Sequence, residues 1–231
     1  MKNLSCLATF LFAPALLLSG CASISVCKVK PVANQSFVSP KKIYVREFTG
    51  PVSVFRVDRR GDSLTEFRSK TSKQLSDDLV KKLNESVMPA EALATNAQPP
   101  KGNNWLVTGT FERVNQGSRV LRALIGLGSG GTKIETTVHL AKLSTGKPEE
   151  FLTFRTTGGS NAEPGPGALI GPPQIFSLIP VFLSVSMTGL TKDTARTAKM
   201  IAAEISNYLS IHGLPPKDPK LKVKLMRGTN A

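Results

Sequence analysis

The chain has few of the residues that build most catalytic and metal centres. It contains three cysteines and two histidines in 231 residues. Three cysteines cannot form a disulfide framework, and two histidines leave little for a histidine-based metal site. Aromatic residues make up only 6%, and neither an HExxH nor a GxSxG motif occurs. The sequence therefore predicts a protein without a metal, a bound cofactor or a recognisable catalytic centre.

Long hydrophobic runs are also missing, and the mean hydropathy is -0.04. Such a value excludes a polytopic membrane protein. A hydrophobic content of 40% is nevertheless too high for a disordered chain. The length favours one domain with a sizeable core.

The N-terminus carries a targeting signal. Lys2 and the apolar stretch after it predict a signal peptide over residues 1–20. Leu18, Ser19, Gly20 and Cys21 then resemble the lipobox of bacterial lipoproteins. The resemblance implies cleavage before Cys21, which would carry a covalent diacylglycerol and an N-acyl chain. Because Ala22 follows rather than aspartate, it also implies an outer-membrane lipoprotein that faces the periplasm.

We predict four segments along the chain: a signal peptide over 1–20, a lipidated tether over 21–40, an α/β domain over 41–213 and a basic tail over 214–231. The tether has no sustained hydrophobic period, and its Cys27 is expected to be incidental. We expect the tail to be solvated.

Hydrophobic periodicity predicts the elements of the domain. Strands are expected over 41–48, 52–57, 105–114, 133–143 and 150–157. A first helix is expected over 62–87, with a capping box of Ser63 and Glu66. A second helix is expected to begin at Thr191 or Asp193 and to stop at His212 and Gly213. Together they predict an α/β (α+β) sandwich, in which two main helices pack on one mostly antiparallel sheet.

A block of arginines and glycines precedes the strand at 133. It contains Arg119 and Arg122, the apolar Ile125, and the spaced glycines Gly126, Gly128 and Gly130. A phosphate-binding glycine loop must open a helix, whereas this one runs into a strand. We therefore expect a bulge or a close backbone approach beside an apolar ridge.

This block, with the alternating strand that follows it, resembles an uncharacterised bacterial lipoprotein family, the domain of unknown function 4410. The resemblance covers about residues 41–212. At the level of fold, the chain is also similar to envelope lipoproteins of the curli-secretion and penicillin-binding-protein-activator type. The family has no assigned reaction, so the resemblance implies no catalytic residue.

A second notable segment, residues 168–190, has no charged residue. Its prolines argue against a membrane helix and favour a buried loop or core segment. Its functional interpretation is a surface for a partner or a second copy, with Phe176 and Phe182 as contact candidates. Arg119, Arg122, Ile125, Gly126, Gly128 and Gly130 are the other contact candidates.

Charge is strongly one-sided, at +14 with 30 Lys and Arg against 16 Asp and Glu. Nucleic acid is the usual partner of such a protein. An anchored envelope protein does not meet the genome, and no aromatic residues are interleaved with the tail lysines. The available acidic partners are anionic lipid, lipopolysaccharide and cell-wall carboxylates.

Three functions remain open at this point. We favour a non-catalytic adaptor that binds an envelope protein or a cell-wall partner. The alternative is an oligomeric component of an envelope export or secretion assembly. A hydrolase of envelope polymer is a third hypothesis, for which the acids near strands are Glu112, Glu135, Glu149 and Glu150.

Overall fold

The computed structural model describes residues 23–32, 37–117, 132–144, 147–159 and 179–226. Within these ranges the chain forms one seven-stranded sheet and two long helices. The strands are β1 Ser23–Pro31, β2 Lys42–Arg46, β3 Phe55–Arg56, β4 Ala90–Leu93, β5 Asn104–Asn115, β6 Lys133–Lys142 and β7 Glu149–Gly159. The helices are α1 Gly61–Ser86 and α2 Ile179–Ile211, and a short 3-10 helix spans Val52–Val54.

The sheet follows the order β1-β7-β6-β5-β2-β4, with β3 paired to β5. β5, β6 and β7 form the predicted antiparallel meander, and β1 adds antiparallel to β7. The parallel pairs of β2 and β3 are short. Most paired residues are therefore antiparallel, and the predicted sandwich of one sheet and two helices is confirmed.

One face of the sheet forms the core. Alternate residues of β6 are fully buried, as Ile134, Val138 and Leu140 show. The residues between them, such as Thr137 and His139, are half-exposed. This alternation is typical of a sheet whose helices cover one face.

Helix α1 matches its prediction within one residue at each end. Its buried stripe recurs every three to four residues. The start differs from expectation, because Arg60 is the N-cap and makes no side-chain capping bond. Ser63 donates its hydroxyl to the Arg60 carbonyl, and Glu66 pairs with Lys70 instead of closing a capping box. The buried members of the stripe are Phe67, Thr71, Leu75, Leu79 and Leu83.

Helix α2 begins at Ile179, twelve residues before the predicted Thr191. The predicted helix start is therefore wrong, and of the two alternatives for 168–190 the loop does not hold for 179–190; residues 168–178 lie outside the described ranges. Pro180 is compatible with this start, because proline is tolerated in the first turn of a helix.

The end of α2 is where the sequence predicts it. The Leu214 N–H donates to the Leu209 carbonyl at 3.0 Å, and the Gly213 N–H donates to Ser210 at 3.0 Å. Gly213 has a φ of +85°. This Schellman arrangement needs a left-handed residue, which glycine supplies.

Part of the predicted tether is a strand. β1 pairs with β7 from Ser23 onwards, and Ile24 and Val26 are buried. The folded domain thus includes residues 23–31, which precede the predicted boundary at 41, and Cys27 is buried within it. A register shift after Cys27, together with a φ of 52° at Lys28, breaks the alternation that would have predicted the strand.

The predicted solvated tail also packs on the domain, up to residue 226. Leu221 is buried, and the Val26 N–H donates to the Lys224 carbonyl at 2.7 Å. The Met226 N–H donates back to Val26 at 3.0 Å. Apolar residues alternate with lysines here, so the tail can pair beside β1 while its charges remain in solvent.

Candidate functional site

Five strand ends form one row across the sheet, which we term the rim. Along the rim each residue is paired with the next one on the neighbouring strand, in the order Arg56, Asn115, Lys133, Gly159 and Ser23. At about 4.8 Å per strand, it is roughly 19 Å long. The N-terminal end of the domain and the basic end of β3 therefore lie on the same side.

Two chain connections leave from or return to the rim. β5 and β6 are joined by residues 116–132, and β7 leads into residues 160–178. The described ends of both connections therefore lie at the rim. The predicted contact residues themselves (Arg119, Arg122, Ile125, Gly126, Gly128, Gly130 and Phe176) lie outside the described residues, as do Leu18, Ser19, Gly20 and Cys21. Phe182 falls within α2, but its side chain is outside the described part.

A groove of about 390 Å³ opens beside the rim, between α1 and α2. Its apolar surface comes from Phe67 and Leu190, which are both largely buried. Gln116, directly after β5, closes the end next to the rim. The remaining lining residues are Arg59, Lys70, Thr71, Lys73, Gln74, Asp77, Thr191 and Thr194.

The α2 side of the groove is fixed by a buried polar contact. Thr132, just before β6, donates to the carboxylate of Asp193, which is fully buried. Arg196 binds the other oxygen of Asp193 at 3.1 Å. A buried carboxylate requires such partners, so this contact holds α2 at the rim end of β6.

The groove is basic. The Arg59 guanidinium lies 4.4 Å from the centre of the Phe67 ring, as in a cation–π contact. Lys73 binds Asp77 at 2.7 Å, and this hydrogen bond raises the pKa of Lys73. Lys70 points its charge at Glu66, outside the groove, and the hydrogen bond between them lowers the pKa of Glu66.

Lys70 and Lys73 are each ion-paired, so the positive excess of the described groove lining comes from Arg59. Such a surface, with an aromatic ring and a leucine beside it, suits a ligand that carries acidic and apolar groups. Among the described residues there is no cluster of three or more His, Cys, Asp or Glu that could hold a metal.

The acids proposed for a hydrolase lie elsewhere, along the half-exposed face of the sheet. Glu112 accepts a hydrogen bond from Thr137 at 2.8 Å, and Glu150 is 2.9 Å from the His139 ring. Glu149 is exposed at the start of β7. None of the four acids is among the described residues that line the groove.

Glu135 is the most constrained of these acids. Burial raises its pKa, but hydrogen bonds from Lys133 and Thr157, with the charges of Lys133 and Arg113, outweigh that effect and leave the pKa lowered. A lowered pKa keeps the carboxylate ionised, which is the opposite of what a general acid needs.

The groove residues on α1 were visible in the sequence only as parts of the predicted first helix. Phe67 appears in the buried stripe, whereas Lys70, Lys73 and Asp77 appear on the solvated face of α1. Nothing in the sequence connects these α1 residues with Gln116 or with residues 190–194 of α2. The sequence signal nearest to the site is the Arg59-Arg60 pair just before α1.

No helix in the described ranges combines the length and apolar character needed to cross a membrane. The fold and the groove define a two-layer α/β domain with a partly apolar groove on its helical side.

The chain belongs to the family described as "Domain of unknown function (DUF4410)", whose model matches residues 43–203. This confirms the family resemblance seen in the arginine–glycine block. No protein with a curated description matches the chain.

Several solved structures are similar to this chain at low identity. The PelC dodecamer from Paraburkholderia phytofirmans is 11% identical, with a TM-score of 0.35, and covers 73% of this chain and 97% of its own. XCC0632 from Xanthomonas campestris, of family DUF330, is 12% identical, with a TM-score of 0.32 and coverages of 74% and 91%. A neuraminyllactose-binding hemagglutinin homolog from Helicobacter pylori is 10% identical, with a TM-score of 0.34 and coverages of 79% and 95%.

Proposed function

We propose that this protein is a lipid-anchored lipoprotein of the cell envelope whose domain binds a partner protein in the groove between α1 and α2, without catalysis. The observation that carries the proposal is the position of the groove. It opens beside the rim that also holds Ser23, two residues after the lipobox Cys21. An acyl anchor on Cys21 would therefore hold the groove close to the bilayer.

The anchor part of the proposal is supported by the sequence and by the start of β1. Two residues span at most about 7 Å, so a lipidated Cys21 would leave almost no free tether. Several acyl chains give stable anchoring, because each buried CH2 contributes about 0.8 kcal/mol. Ala22 favours the outer membrane, with the domain in the periplasm.

The partner would present acidic and apolar side chains, because the groove lining contains both positive charge and apolar surface. Arg59 supplies positive charge, and Phe67 and Leu190 supply apolar contact. A recognition role is further supported by the acids on the sheet. Glu112 accepts a hydrogen bond from Thr137, and Glu150 lies 2.9 Å from the His139 ring. The pKa of Glu135 is lowered, so this carboxylate stays ionised.

The anchor is tested by metabolic labelling with a clickable fatty acid. We expect Cys21→Ala to lose the label, because the acceptor thiol is gone. Cys27→Ala is the matched control, since it removes a nearby cysteine that is buried in β1. Retention of label in Cys21→Ala at the level of the unmodified chain would overturn the anchor.

The groove is tested with a photo-crosslinking amino acid placed at Gln74, which is exposed and lines the groove. The control position is Lys81, exposed on the same helix but outside the groove lining. We expect one adduct of defined mass at position 74 and none at position 81. Equal adducts at the two positions, or none at position 74, would contradict the proposal.

The same experiment separates the adaptor from an oligomeric export component. An adduct between two copies of this chain, with a fixed stoichiometry after detergent extraction, would replace the adaptor with a self-assembling protein. An adduct with a different envelope protein supports the adaptor.

A further inference from the structure

The last residue of β3 and the connection from β3 to α1 form a basic segment at the rim. It spans residues 56–60 and contains Arg56, Arg59 and Arg60, against the single acid Asp58. Arg56 and Arg60 are exposed, and Arg56 is itself the terminal residue of the rim. We refer to residues 56–60 as the basic loop.

The neighbourhood of the basic loop does not neutralise it. Lys133, on the rim, is paired with Glu135 at 2.7 Å, so these two charges cancel. Asp193 is paired with Arg196 at 3.1 Å, so these two charges also cancel. Asp62 and Glu66, on the first turns of α1, are exposed acids near the loop, and Glu66 is paired with Lys70 at 2.7 Å. The described charges at this end of the domain therefore remain positive in sum.

We propose that the rim is the membrane-facing side of the domain, and that the basic loop binds the headgroups of anionic phospholipids. The inference rests on the proposed anchor for its geometry. Ser23 lies at one end of the rim and Arg56 at the other, roughly 19 Å apart. A chain fixed to the bilayer just before Ser23 can therefore bring the arginines to the headgroups by tilting alone.

Arginine suits this contact chemically. Its guanidinium donates two parallel hydrogen bonds to a phosphate, and it loses less hydration than an ammonium group. Each cation close to an anionic bilayer strengthens binding by about fivefold. The anchor and the loop would then fix the domain at two points, which sets its orientation as well as its distance from the bilayer.

This orientation places the groove at the membrane surface. The groove begins at Gln116, next to the rim, and extends along α1 to Asp77. A partner in the groove would therefore be bound immediately above the lipid headgroups. The connections 116–132 and 160–178 would begin on the same side.

The test uses the full chain reconstituted into vesicles that contain a quencher on the lipid headgroup. A fluorophore is attached at Asp62→Cys, beside the basic loop, or at Lys101→Cys, beyond the opposite end of the sheet. In vesicles containing phosphatidylglycerol we expect strong quenching at position 62 and little at position 101. In vesicles of phosphatidylcholine alone, quenching at position 62 is expected to fall.

Charge reversal identifies the contact. The double variant Arg56→Glu and Arg60→Glu should lower the equilibrium constant for the membrane-bound orientation, in which position 62 is quenched, by roughly tenfold. The matched control is Lys41→Glu with Lys147→Glu, two exposed lysines toward the other end, which should change nothing. Equal quenching at positions 62 and 101, or no effect of the arginine reversal, would overturn the proposal.

Loss of the lipid anchor and loss of the contact between the rim and the bilayer are measured by different experiments. Both an acylated chain and a chain that keeps its apolar leader place Ser23 next to the bilayer. Fatty-acid labelling therefore reports on lipidation, whereas headgroup quenching reports on the rim.

Discussion

Glu204 provides the sharpest test of the core. It lies on α2 with 3% of its surface exposed, and its Oε2 atom has no hydrogen-bond partner in the described part of the chain. Burial raises its pKa to about 7, although a hydrogen bond with Asn207 opposes the rise. The carboxyl group should therefore be protonated in the folded protein at mildly acidic pH and costly to ionise above it.

The sign and size of the effect follow from linkage. An unfolded glutamate titrates near 4.5, so between 4.5 and about 7 the folded state binds more protons than the unfolded state. The free energy of unfolding must fall as pH rises through this window and level off above it. The rise from 4.5 to about 7, at about 1.4 kcal/mol per pH unit, corresponds to about 3 kcal/mol.

The experiment is urea denaturation of the unmodified chain and of Glu204→Gln at about pH 5 and about pH 8. Trp105 is the only tryptophan and is 1% exposed, so its fluorescence reports the core directly. We expect the variant to gain about 2 to 3 kcal/mol relative to the unmodified chain between the two pH values. The exposed Glu85→Gln is the control. A stability difference that is the same at both pH values would refute the reasoning.

Three further predictions concern packing. Gly109→Ala should destabilise the domain by about 1 to 3 kcal/mol in thermal or urea denaturation, because a Cβ at this position collides with the ring of Phe48. Thr136 and Thr156 are fully buried and share a hydrogen bond at 2.7 Å. Changing either one to valine should cost about 1 to 3 kcal/mol, whereas the double change should cost clearly less than the sum of the two in a double-mutant cycle. Truncation after residue 220 removes the buried Leu221 and the pairing with β1, and should increase amide exchange at Val26 far more than in α1.

Much of the fold could be predicted because strong local patterns coincide with the final contacts. The leucine stripe of α1 sets its bounds, and the alternation in β6 and β7 gives the meander. Gly213 marks the end of α2, since a Schellman cap needs a residue that tolerates positive φ.

The elements that were missed depend on distant partners. β4 has the sequence Ala-Glu-Ala-Leu, which has low β propensity, and it exists because it pairs in parallel with β2. β1 contains a register shift that hides its alternation. The groove could not be predicted for the same reason, because residues 59–77, 116 and 190–194 meet only in the folded protein.

The pairing of β1 also determines when the domain can be completed. β1 is the first element of the described chain, yet its partners are β7, more than a hundred residues later, and Leu225 near the C-terminus. Contacts of such long sequence separation form late, because loop closure must precede them. During synthesis β1 would thus wait, unpaired, until nearly the whole chain had emerged. A chain interrupted before residue 149 would carry β1 with no β7 edge to join, and this exposed strand would be a site of aggregation or proteolysis.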